Sequence, residues 1–199
     1  MLNNRDYTLI LDKSGSMSTK DQPGGRSRWH AARESAAALA AKCEELDPDG
    51  LTLYVFGSRF KRYEHVTSGR VDRVFDENEP AGGTDLAGVL KHAFTSYFER
   101  KARGDSRPET ILVVTDGEPD DGAAVVKTIV EASRKMSTDE ELAVSLVQVG
   151  TDQNARRFLK LLDDELQPAG AKFDIVDTVT LDEMEDMGLT EVLLGAIHD

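Results

Sequence analysis

The chain has 199 residues, 39% apolar and 31% charged, with a formal net charge of −13 and one cysteine. That length suits one domain, taken as residues 1–199, with a real core, and the balance excludes a disordered chain. The acidity disfavours nucleic acid and anionic membranes, because phosphate neutralisation needs a basic face, and no apolar run reaches the ~18 residues of a membrane span.

The chain enters its first apolar run almost at once. Nothing there resembles the apolar core of a signal peptide, so a cytoplasmic protein is expected. Residues 7–12 (YTLILD) read as a strand that stops on Asp12. Lys13-Ser14-Gly15-Ser16 follows, then a polar stretch, 19–28 (TKDQPGGRSR), longer than a minimal connection. Residues 27–46 place Trp29, Ala32, Ala36, Leu39, Ala40 and Cys43 at helical spacing, and Asp47-Pro48-Asp49-Gly50 is a turn signal that ends the helix. Cys43 reads as a small buried hydrophobe. Residues 51–57 are a second strand. Residues 59–66 (RFKRYEHV) alternate and are polar, as befits a hairpin's return arm at a sheet edge.

A short helix is expected at 71–75 and a longer one at 85–101. Strands are expected at 110–115, 143–150 and 172–177, and helices at 123–136, 153–166 and 190–197. Runs such as ILVV and LAVSLVQV are how strands buried on both faces of a parallel sheet read. Strand–helix alternation throughout implies an α/β sheet with helices on both faces.

In open α/β sheets the ligand site lies beyond the carboxyl ends of the strands. Three loop ends there carry oxygen donors. Asp12-Lys13-Ser14-Gly15-Ser16 curls two hydroxyls back toward a carboxylate, helped by Gly15. Gly82-Gly83-Thr84-Asp85 places a third hydroxyl at a helix start. Thr115-Asp116-Gly117-Glu118-Pro119 runs the ILVV strand into a second carboxylate. Each piece alone has an ordinary explanation: a side-chain-stabilised turn, a helix cap, a turn pair. Together, Asp12, Ser14, Ser16, Thr84 and Asp116 make an oxygen-only donor set for a hard divalent cation, Mg²⁺ first and Mn²⁺ second. No histidine or cysteine lies in these loops, which disfavours zinc, copper and iron.

The pattern D-x-S-x-S, then G-T-D, then T-D-G resembles the metal-ion-dependent adhesion site of von Willebrand factor A domains and integrin I domains. Asp12, Ser14, Ser16, Thr84 and Asp116 each fall on a motif position, and the resemblance covers nearly the whole chain. It implies a doubly wound, Rossmann-like, mostly parallel six-stranded sheet of order 3-2-1-4-5-6 with one antiparallel edge strand. It implies Mg²⁺, with Mn²⁺ or Ca²⁺ as alternatives, and a partner's Glu or Asp as the last ligand. It also implies a last helix that shifts when that acid binds, here 187–197, where Gly188 and Gly195 would ease movement. The context resembles stand-alone bacterial members that serve AAA-type ATPases, chelatase-like complexes or stress-response systems.

The expected function is therefore a protein-binding module with no catalytic residues. The alternative is a Mg²⁺-dependent phosphohydrolase of haloacid-dehalogenase type, which also starts from a strand ending in Asp. That chemistry needs a second acid where Ser14 stands. A serine hydrolase would need a nucleophile elbow that is absent here. Segment 19–28 reads either as a surface loop or as a gate beside the metal, with Arg26 and Arg28 as contacts for an acidic partner. Glu118, Asp120 and Asp121 read as a solvated cluster or as helpers of the site. His30, His65, His92 and His198 share no ligand spacing. Arg156, Arg157 and Lys160 face Asp163, Asp164 and Glu165 as a charge-paired surface. The sequence carries no signal of oligomeric state.

Overall fold

The computed structural model describes residues 2–187 and 189–198. Its strands are β1 (Asp6–Asp12), β2 (Leu51–Phe56), β3 (Phe60–Val66), β4 (Glu109–Thr115), β5 (Leu142–Gln148) and β6 (Val176–Thr180). They form a six-stranded sheet of order β3-β2-β1-β4-β5-β6. Every pairing is parallel except β2 with β3, which is the expected hairpin at the edge. β4 and β5 are buried at every position, which is why their sequences do not alternate.

Seven helices cover the sheet among the described residues: α1 (Arg28–Leu46), α2 (Ser68–Asp76), α3 (Leu86–Ala102), α4 (Gly122–Lys135), α5 (Gln153–Asp164), α6 (Leu181–Met187) and α7 (Leu189–His198). Leu9 and Leu11 of β1 point to one layer, with α1, α2, α6 and α7. Ile10 points to the other, with α3, α4 and α5. Burying a side chain of this size contributes roughly 1.5–3 kcal/mol, so the alternation within β1 joins the two cores. Ser27, Asp85, Asp121 and Asp152 cap α1, α3, α4 and α5 through backbone amides of the first turn. Cys43 is buried in the first core, and Trp29 packs against Phe75 as a tilted ring pair with centroids 4.4 Å apart.

Three expectations shift. The last strand lies at Val176–Thr180, beyond the predicted 172–177, because VDTVT supplies the partners of Val144–Gln148. The residues before it are held by side chains instead: the Phe173 amide donates to Ser133 Oγ and Lys172 Nζ to the Met136 carbonyl. α2 starts three residues before the predicted 71–75 and ends one residue after it. α6 was not expected, since its sequence, LDEMEDM, buries only Leu181 and Met184 among the side chains described there. Its start is marked all the same. Thr180 and Glu183 exchange side-chain and backbone bonds as a capping box does. In α7, Val192 and Leu193 are buried, and a Cβ on Gly195 would come within 2.5 Å of Asp177 Oδ2. Gly195 thus serves a close approach. Gly188 lies outside the described residues. No described helix is long and apolar enough to cross a membrane.

The order reverses between β1 and β4. The connection from β1 leads to α1 on one face and that from β4 to α4 on the other, so a crevice opens at their carboxyl ends.

Candidate metal centre

Asp12 is the last residue of β1 and is fully buried. Its Oδ1 accepts from the Ser14 amide at 2.7 Å and its Oδ2 from the Thr115 hydroxyl at 2.6 Å. Register explains the second bond: Leu11 pairs with Val114, which sets Thr115 beside Asp12. Burial pushes the Asp12 carboxyl up to about 6, against the pull of Thr115 and Ser14. A cation placed there would reverse that shift.

The two serines form a chain. Ser16 Oγ donates to Asp116 Oδ1 at 2.9 Å, so the Ser14 hydroxyl is the donor in the 3.0 Å contact between Ser14 Oγ and Ser16 Oγ. Asp116 directly follows β4 and is fully buried. Its other oxygen accepts from Arg28 Nη1 at 2.9 Å.

Thr84 reaches the same place by backbone. The Gly15 amide donates to the Gly82 carbonyl at 3.1 Å and the Ala81 amide to the Lys13 carbonyl at 2.6 Å. These bonds lay the 81–85 loop along the first loop. Gly82 adopts φ +84°, a conformation that only glycine takes without strain. Asp120 fixes the threonine from the third loop: its Oδ2 accepts from the Thr84 amide at 2.9 Å, and its own amide donates to the Thr84 carbonyl at 3.0 Å. All five predicted residues therefore border one crevice. Ser14, Ser16 and Asp116 are linked through side chains, Asp12 joins them through the Ser14 amide, and the backbone of its loop brings Thr84 alongside.

Sequence reasoning missed Thr115 and Asp21. Asp120 now has a specific task, orienting Thr84, whereas its neighbour Asp121 caps α4. Arg26 pairs with Glu34, and Arg28 with Asp21 and Asp116. Both arginines offered above as contacts for a partner thus have partners within the chain.

Among the described residues, no group of three or more His, Cys, Asp or Glu is placed to share a metal ion, so a cation here would need the hydroxyls. Two buried carboxylates and neutral oxygens suit a hard divalent ion. Among the described hydrogen bonds none joins a histidine to either serine: His30 lies by Glu34, His65 by the Asp49 carbonyl and His92 by the Tyr54 hydroxyl.

The sequence profile of the von Willebrand factor type A domain matches residues 7–118. No curated protein matches the sequence. Among solved structures, the chain is similar to the manganese-loaded TRAP protein of Plasmodium vivax, with TM-score 0.63 and 15% identity over 92% of this chain and 71% of that one. It is similar to the SpRpn10 VWA domain, with TM-score 0.66 and 12% identity over 89% of this chain and 87% of that one. It is also similar to the PilB minor pilin of Streptococcus sanguinis, with TM-score 0.64 and 14% identity over 96% of this chain and 61% of that one. At such identities the likeness establishes the fold.

Proposed function

The chain belongs to the von Willebrand factor type A domain family, and from that premise we propose that it is a Mg²⁺-dependent protein-binding module without catalytic activity. Members of the family are generally metal-dependent interaction modules. Asp12, Ser14, Ser16, Thr84 and Asp116 would hold the ion, with Mn²⁺ or Ca²⁺ as substitutes. The observation that carries this reading is the side-chain chain from Ser14 through Ser16 to Asp116, with Asp12 buried beside it. It sets hydroxyls and carboxylates around one crevice, the donor types that a hard divalent cation takes. A bound Mg²⁺ supplies concentrated positive charge and a coordination position that a partner's Glu or Asp can fill.

The chain's own residues do the rest. Thr115 and the Ser14 amide orient Asp12, Ser16 orients Asp116, and Asp120 orients Thr84. Held this way, the donors change little on binding, which favours affinity. Accessory work in a cytoplasmic assembly of bacterial type, beside an AAA-type ATPase, a chelatase-like complex or a stress-response system, fits such a module.

Calorimetric titration of the metal-free protein with Mg²⁺ and Mn²⁺ tests the site, and Asp116→Ala should abolish the heat. Affinity capture from the source cells, with and without chelator, tests the partner. Capture that ignores both the chelator and Asp116→Ala would sink the proposal.

A further inference from the structure

Arg28 stands between two carboxylates on opposite sides. Its side chain is only 13% exposed. Nη1 donates inward to buried Asp116 at 2.9 Å. On the other side, Nε lies 3.1 and 3.0 Å from the two oxygens of Asp21, and Nη2 donates to Oδ2 at 2.6 Å. The Nε–Nη2 edge is one of the forks with which a guanidinium grips a carboxylate at two points.

The two acids differ in their surroundings. Asp116 is fully buried at the end of β4, whereas the Asp21 side chain is 33% exposed. Asp21 sits on a loop closed at its neck, where the Arg28 amide donates to the Thr19 carbonyl at 3.0 Å and the Gln22 amide to the Arg26 carbonyl at 3.2 Å. Gly24 and Gly25 turn the tip with φ of +76° and +71°. Besides Arg28, the Asp21 carboxylate accepts from the Gln22 side chain at 2.8 Å.

We infer that Asp21 is an internal stand-in for the partner's acid: it fills the carboxylate-receiving edge of Arg28, and an incoming Glu or Asp must displace it. This rests on reading the crevice as a metal-dependent acid-binding centre. Asp116 keeps Arg28 in place while the outer edge exchanges one carboxylate for another. Arg28 lies one carboxylate away from the Ser16 hydroxyl, so an acid bound at the metal meets a second positive group beside it. Asp21 is the exchangeable member, because its side chain is one-third exposed and water can take over its bonds, whereas Asp116 is fully buried. Segment 19–28 thus gates the centre by competition, and the competing group is a single carboxylate.

Charge gives the inference a signature that a merely structural loop lacks. Asp21→Asn adds a net positive charge near the ion, which weakens Mg²⁺ binding and strengthens acid binding. Arg28→Gln removes one, with both effects reversed. A loop that only supports the fold would move both affinities the same way.

The test uses the whole chain. Mg²⁺ alone is titrated by calorimetry, and N-acetylglutamate N-methylamide is then titrated by NMR at saturating Mg²⁺. Asp21→Asn should lower the probe's Kd about tenfold, and Asp21→Ser should do the same. Arg28→Gln should raise it about tenfold, and the double variant should match Arg28→Gln. Mg²⁺-loaded Asp21→Asn that binds the probe no better than wild type overturns the inference and leaves the metal site standing. A wild-type protein that binds no Mg²⁺ overturns the metal reading and this inference with it.

Discussion

The two ends of the central strand pair, β1 and β4, both hold acidic side chains, and they treat them in opposite ways. At the amino end, Asp6 and Glu109 are met by arginines. Arg100 reaches Asp6 at 2.8 Å and Glu109 at 3.1 Å, and Arg107 reaches Asp6 at 3.0 Å. The Thr8 hydroxyl adds a 2.7 Å bond to Glu109, and buried Arg5 bonds the Thr110 hydroxyl and the Glu109 and Glu140 carbonyls. At the carboxyl end, Asp12 and Asp116 are met by hydroxyls and an amide, with one guanidinium on an outer oxygen. Charge buried at the amino end is balanced within the chain, which makes those carboxylates struts. Charge buried at the carboxyl end is mostly left for a cation to balance, which is what a binding site needs. Cavity size is no guide: a cleft of about 690 Å³ lies at the amino end, walled in part by the strut residues Asp6, Arg100, Arg107 and Glu109.

Substitutions at the two ends should therefore separate binding from stability. The largest effect is expected from Asp12→Ala or Asp116→Ala, each weakening Mg²⁺ about 100-fold or more, beyond what loss of an orienting neighbour costs. Arg100→Ala should leave the Mg²⁺ isotherm unchanged. It should cost roughly 3 kcal/mol in urea unfolding instead, because it leaves Glu109 buried without its cation. If Arg100→Ala weakened metal binding as much as Asp116→Ala, the division between the ends would be wrong.

How much of this was legible in the sequence depended on distance along the chain. The α/β class and the antiparallel edge follow from local pattern, because β4 and β5 carry near-continuous apolar runs and β3 alternates, whereas the sheet order was legible only through the resemblance to a known family. The last strand was misplaced because apolar residues recur through KFDIVDTVT, so the pattern alone does not choose a register. The five candidate ligands stand in short motifs at strand or loop ends, where a reader looks first. Their supports do not. Thr115 bonds Asp12 only because of the β1–β4 register, and Asp120 meets Thr84 across 36 positions. Asp21 meets Arg28 because the chain turns back at Gly24 and Gly25. Arginines that looked outward-facing in the sequence already had acids waiting for them.

Adjacent acids in the third loop sharpen the comparison at closer range. Asp120 holds the Thr84 backbone, so Asp120→Ala should weaken Mg²⁺ about tenfold without removing a candidate ligand. Gly83→Ala should act in the same direction, since its Cβ would lie 2.5 Å from Asp120 Oδ2. Asp121 caps α4 through the Ala124 amide at 2.9 Å. Asp121→Ala should cost ~1 kcal/mol of stability and leave the metal isotherm alone. Equal metal affinities for the Asp120 and Asp121 variants would remove the orienting role.

The smallest effect expected is a slope with pH, and it belongs to the amino end. Burial raises the Glu109 carboxyl above its ordinary value of 4.5, with Thr8 and Arg100 pulling the other way. In the window above 4.5 the folded chain thus holds the Glu109 proton more readily than the unfolded chain. Stability from this group is fully present below that value and declines as pH rises through the folded-state value. Asp6 and Asp12 are raised for the same reason, burial first; the difference between wild type and Glu109→Gln cancels Asp12, while the charge on Asp6 adds to the upward push on Glu109. Urea midpoints taken with chelator from pH 4 to pH 7 should show wild type losing ground to Glu109→Gln as pH rises. A difference that stays flat, or that widens in favour of wild type, would mean that Arg100 and Thr8 outweigh burial at Glu109. The amino end would then be an ion pair that favours the charged carboxylate outright, as a divalent cation would at the carboxyl end.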